Sequence, residues 1–234
     1  MKLNYTNKFD DSGHELSIEL QAEDSDETQE AFIDERNTFP SNELLPAERI
    51  TEIEDQKEYL VQVDYVLPIG ENAQFEAGYR GSFENTVTDY LLNEQLITNG
   101  PFIRNDSLSN VFDYTENVNA VYTQYGNKFG KFSFLLGLRL EDTQLEGAVT
   151  GEDITSNDDF NVNFDNSYTG LFPTANLIYE IGERENISLG YNRRINRPRG
   201  FFINPFPSRS SEANVFQGNP SLRPAFANGF DLGY

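Results

Sequence analysis

KFSFLLGLRL, residues 131–140, alternates almost without fault. Phe132, Phe134, Leu136, Leu138 and Leu140 share one parity, and Lys131, Ser133, Gly137 and Arg139 share the other, with Leu135 the one exception. Period-two alternation puts the apolar set on one face of a strand and the polar set on the opposite face. YLVQVDYVL (59–67) repeats the pattern, with Tyr59, Val61, Val63, Tyr65 and Leu67 opposed to Gln62 and Asp64. AQFEAGYRGSF (73–83) sets Ala73, Phe75, Ala77, Tyr79 and Phe83 against Gln74, Glu76, Arg80 and Ser82. HELSIELQA (14–22) sets Leu16, Ile18, Leu20 and Ala22 against Glu15, Ser17, Glu19 and Gln21. FDYTENVNAVY (112–122), TGLFPTANLIYE (169–180), ENISLGYN (185–192) and FANGFDLGY (226–234) follow with more lapses.

The spacing predicts about nine strands, over roughly 2–9, 14–23, 56–68, 73–91, 111–125, 131–148, 167–181, 186–196 and 224–234. Short polar connectors join them in pairs at 10–14, 69–73, 126–130 and 182–186; long polar stretches at 24–55, 92–110, 149–166 and 197–223 separate the pairs. Short turn, long loop, repeated, is the layout of an outer-membrane barrel, whose strands show lipid an apolar face and the lumen a polar one. A tilted membrane strand needs about 9–11 residues, whereas ordinary strands run to about 5–6. The predicted class is therefore all-β: an antiparallel transmembrane β-barrel segment of about nine strands, with short periplasmic turns and long extracellular loops. Tyr59, Tyr65, Tyr79, Tyr122, Tyr179, Tyr191 and Tyr234 have the parity of the outer face, where rings sit at the membrane interface. The rival architecture is a soluble β-sandwich binding domain; four long loops count against so compact a fold.

Composition narrows the chemistry. Hydrophobic residues make up only 37%, yet 19 Phe and 12 Tyr lift the aromatic share to 13%, too aromatic for a disordered chain. There is no cysteine, which excludes disulfides, thiolate metal sites and a cysteine nucleophile. The net charge of −22 disfavours nucleic acid as a partner. His14 is the sole histidine and falls in a predicted turn, so neither a His/Cys metal site nor a Ser-His-Asp triad is expected. Two acidic stretches, 23–35 and 152–165, lack the glycine and glutamate spacing of an EF-hand and read as solvated loops. No catalysis, cofactor or metal is expected.

One stretch runs against the acidity. Four of the 17 basic residues, Arg193, Arg194, Arg197 and Arg199, fall within seven positions beside Phe201 and Phe202. They open a longer run, GYNRRINRPRGFFINPFPSRSSEANVFQGNPSLRPAFANGFDLGY (190–234). The ordered set Arg193-Arg194-Ile195-Asn196-Arg197-Pro198, Asn204-Pro205-Phe206, Gly218-Asn219-Pro220, Leu222 and Pro224, ending in a strand, resembles the barrel of TonB-dependent receptors. In particular it resembles the outer-membrane β-barrel family abundant in Bacteroidetes. Ala225 stands where members commonly carry an acidic residue. The resemblance implies a cell outer membrane location in a Gram-negative envelope and nutrient uptake (iron chelate, glycan or peptide) through a 22-stranded barrel. It also implies a plug domain and TonB complex as partners, and leaves open a surface lipoprotein lid. Nine strands do not close such a barrel, so residues 1–234 are expected to be part of one. The alternative is a structural or adhesive outer-membrane barrel without transport.

Within that frame the arginines have two readings. Counting from the turn, Ile187, Leu189 and Tyr191 face lipid, while Ser188, Gly190, Asn192, Arg194 and Asn196 face the lumen. Arg193 falls on the lipid parity, and a β-bulge near 191–193 is expected to turn it back. The arginines would bind lumenal carboxylates through bidentate contacts, tying loop to barrel. Alternatively Arg194, Arg197, Arg199, Phe201, Phe202 and Asn204 form a rim that holds an anionic or sugar-like ligand.

Overall fold

The computed structural model describes every residue except 154–157 and 212–213. Nine antiparallel strands form one sheet in chain order: β1 (Lys2–Lys8), β2 (Glu15–Ile33), β3 (Glu48–Ile69), β4 (Ala73–Gln95), β5 (Asn110–Phe129), β6 (Phe132–Asp153), β7 (Asp158–Glu180), β8 (Asn186–Asn196) and β9 (Ala225–Gly233). Each pairs with its neighbour in the chain, and β1 and β9 are the two edges. A short additional strand, Phe102–Arg104, pairs with the end of β4.

The register carries the alternation across the sheet. Leu140 pairs with Val121, Val121 with Tyr79, Tyr79 with Val63 and Val63 with Ile18, so these side chains form one outward row. Among the described residues no second layer covers that face: Phe132, Leu136, Leu138 and Leu140 are 39–49% exposed. At its lower end, Tyr125, Phe129 and Phe132 all pack within about 6 Å of Phe134, centroid to centroid, an aromatic group where a girdle belongs.

The short turns use positive backbone φ where tight reversal needs it. β5 runs on to Phe129, which pairs with Phe132, so the turn expected at 126–130 is only Gly130-Lys131, with Gly130 at φ 56°. A two-residue hairpin of this kind favours glycine. In the first turn His14 is a structural residue: its Nε2 lies 2.9 Å from the Tyr65 hydroxyl, and its ring packs on Phe9.

Two expectations need correction. Much of the predicted loops at 24–55 and 149–166 is strand: β2 and β3 pair from Glu15↔Val66 to Ile33↔Glu48, and β6 and β7 pair up to Asp153↔Asp158. Residues 154–157 of the second acidic stretch lie outside the described residues. Strands β2 to β7 reach 19–23 residues, about twice what a bilayer needs, so their upper halves stand beyond the hydrocarbon. Tyr122, placed outside by its sequence, faces inward. It pairs with Arg139 in register, donates its hydroxyl hydrogen bond to the Asp64 carboxylate, and lies under the Arg139 guanidinium, 5.5 Å from ring centroid to Cζ.

Candidate functional site

The segment between β8 and β9 does not stand free above the barrel wall. It folds back onto the inner face. Gly200–Ile203 forms one helical turn, and Ile203 and Phe206, 0% and 5% exposed, bury against Phe112, Tyr114, Leu145 and Val149 of β5 and β6. Each buried side chain contributes about 1.5–3 kcal/mol. This is the largest apolar core among the described residues. The sequence reading missed it; its signal was the apolar set Phe112, Tyr114, Val118 and Ala120 on the inward parity of β5.

The motif residues build the fold of this segment. Asn204 Oδ1 accepts a hydrogen bond from the Phe206 N–H at 3.0 Å. Gly218 N–H donates to the Asn204 carbonyl and Asn219 N–H to the Phe202 carbonyl, both at 2.8 Å. The Pro220 carbonyl accepts from Asn166 Nδ2 on β7 at 2.9 Å. The Asn-Pro-Phe and Gly-Asn-Pro elements thus clamp one another and fix the segment to the wall.

The six candidate residues separate. Arg197 ties the segment down: its guanidinium pairs with Glu141 on β6, lies 3.7 Å from Glu116 on β5, and reaches Thr143 Oγ1 at 3.4 Å. Burial raises the Glu116 carboxyl above its ordinary range, with the Tyr114 hydrogen bond and the Arg197 charge opposing. Burial also pushes the Tyr114 phenol up, and the Glu116 charge adds to it. Arg194 is exposed and, among the described residues, donates only to Asn192 Oδ1 on its own strand, apart from the other five. Phe201 stacks on Phe216 at 4.2 Å and 10°, with Phe202 edge-on to both; all three rings remain 37–58% exposed.

No bulge turns Arg193. The β8–β9 register is continuous from Ser188↔Gly233 to Asn196↔Ala225, and pairing with β7 stops at Thr174↔Asn192, next to Pro173, which has no N–H to give. Aromatic packing accommodates the charge instead: Arg193 sits 4.8 Å over the Phe226 ring, which stacks on Phe172.

Arg199, Phe201 and Asn204 line one side of a cleft of about 440 Å³. The other side is the inner wall: Glu52, Glu54 and Gln56 of β3, Glu84, Thr86 and Thr88 of β4, and the Phe112 and Tyr114 rings of β5. The volume is within the range of small-molecule sites. A second hollow, of about 350 Å³, is basic, with Arg197, Arg199 and Arg223 beside Phe202. Among the described residues no three acidic or imidazole side chains converge as a metal site.

Residues 7–234 match the family described as the outer membrane protein beta-barrel family. The chain belongs to that family. It is an outer-membrane protein, and its alternating strands meet lipid on one face. No curated protein matches it. Among solved structures it is similar to the ferric citrate transporter FecA in its unliganded form, with a TM-score of 0.53 and 14% identity over 83% of this chain. That similarity is one of fold. The matched region is 26% of the transporter's chain, so this family member spans about a quarter of that length.

Proposed function

We propose that this chain is part of the barrel of a TonB-dependent receptor, of the kind abundant in Bacteroidetes, that takes up a nutrient across the outer membrane. In the intact protein further strands would meet the edges β1 and β9, a plug would occupy the lumen, and the TonB complex would drive release. The barrel contributes a rigid wall and a ligand-contacting mouth and performs no chemistry on its cargo. One observation carries this reading: the upper inner wall and the segment after β8 enclose a cleft of ligand size above the stretch that lipid surrounds. A purely structural wall gains nothing from such a cleft.

The test is uptake. Deleting the gene should abolish uptake of one member of a panel of iron chelates, glycans and peptides, and de-energising the inner membrane should stop it in the wild type. Uptake of every panel member unchanged by the deletion would sink the proposal.

A further inference from the structure

The cleft is lopsided in charge. Glu52, Glu54 and Glu84 line it, and Arg199 is the one cation on the lining. None of the three carboxylates has an ion-pair partner among the described residues; Glu84 accepts only from Gln56 and Thr86. Glu52 is raised above the ordinary carboxylate range by burial first, then by the charges of Glu54 and Glu27. Uncompensated carboxylates in a half-buried groove are costly, and a cation entering the groove removes that cost.

A second observation points the same way. Asn110 is 4% exposed, and its Oδ1 has no hydrogen-bond partner among the described residues. It lines a narrow hollow of about 50 Å³ that shares Glu52, Thr88, Phe201 and Asn204 with the cleft. A buried acceptor left unpaired costs about 1–3 kcal/mol and calls for a donor: an N–H group or a water.

The occupant's shape follows from what is missing. The carboxylates do not converge as a chelating set, so a compact divalent ion finds no cage of six to eight oxygens. They are spread over two strands, facing the exposed Phe201 ring. Aromatic faces attract organic cations. We infer that the cleft binds an extended organic polycation, a ligand carrying ammonium or guanidinium groups along a chain. One such group would reach Asn110 and Glu52 and another Glu84, with Phe201 closing over the carbon skeleton. The inference rests on the receptor reading and names its ligand class.

Titration calorimetry of the intact protein in detergent, with spermidine as the probe, tests it. Calcium chloride, citrate and maltotriose serve as comparison ligands. Spermidine should bind saturably, Glu84→Gln and Phe201→Ala should each weaken it about tenfold, and equimolar calcium should leave it in place. Glu19→Gln, on the same inner face near the membrane, should bind as wild type. Phe201 is 58% exposed, so its truncation leaves the fold intact, which heat-modifiable gel mobility checks. Absent spermidine binding, equal binding in the cleft variants, or displacement by calcium would each overturn the inference. Citrate or maltotriose binding without spermidine would overturn it while leaving the receptor reading in place. Only unchanged uptake on gene deletion removes that reading.

Discussion

Gly218 lies against Asn204 so closely that no other residue fits. Its N–H donates to the Asn204 carbonyl at 2.8 Å, and a Cβ built on Gly218 would stand 2.5 Å from that same oxygen and 2.7 Å from the Phe202 carbonyl. Both obstacles are backbone and cannot step aside. Gly218→Ala should therefore push the clamp apart, at about 1–3 kcal/mol, and loosen Ile203 and Phe206 from the wall. Limited trypsin digestion should cut after Arg199 and Arg209 faster than in the wild type. An unchanged cleavage rate would show that the clamp does not hold the segment.

Arg197 and Glu141 form the charged counterpart of that clamp, with side chains 23% and 10% exposed. Arg197→Met leaves Glu116 without a cation, and leaves Glu141 with Arg139 alone, 2.6 Å away. The expected cost is about 3 kcal/mol, toward the lower end for a broken buried pair. Replacing Glu116 by Gln in the same protein should recover part of the loss, because the group that has lost its cation is then neutral. Urea unfolding from lipid vesicles measures both. A double variant no better than Arg197→Met would argue against a direct pair of Arg197 and Glu116.

How much of this was legible follows from where each residue meets its solvent. Phe132 to Leu140 alternate cleanly because hydrocarbon lies on one side and water on the other. Above the bilayer that contrast ends. Residues 24–32 are exposed, and Ile50 turns inward against Tyr90 and Leu92; neither face meets hydrocarbon, so a genuine strand reads as a loop. Tyr122 misled in the opposite sense: β5 carries Phe112 and Tyr114 inward under Ile203 and Phe206, so its apolar residues do not mark lipid. The Asn-Pro-Phe and Gly-Asn-Pro motifs were visible as a family signature. That they close on one another needs the backbone path, which spacing does not supply.

Leu138 tests the membrane face directly. It lies in the lower half of β6, 44% exposed, beside Thr123 and Pro173. Leu138→Arg should cost about 2–4 kcal/mol near the bilayer midplane, lowering the folded yield in vesicles. Gln124→Arg, one position further along β5 on the inner face, should fold nearly as wild type. Equal yields for the two would contradict the assignment of faces.

Glu52 makes the cleft sensitive to pH. Burial, then Glu54 and Glu27, hold its carboxyl above the ordinary glutamate range, so the folded wall keeps a proton that the unfolded chain has released. Where the folded state binds more protons, stability falls as pH rises. The loss is confined to the window between the ordinary glutamate value and the raised one, and is complete above it. Glu52→Gln has no charge to desolvate, so it should be more stable than wild type at neutral pH, and the difference should vanish on acidification through that window. The same proton weakens cation binding, so spermidine affinity should fall as pH drops through the raised value, sooner than an ordinary glutamate would allow. Thermal unfolding and calorimetry of both proteins across the acidic range measure the two effects. A Glu52→Gln variant that merely tracks the wild type at every pH would show that this carboxylate is fully solvated and that the cleft wall carries no stored charge.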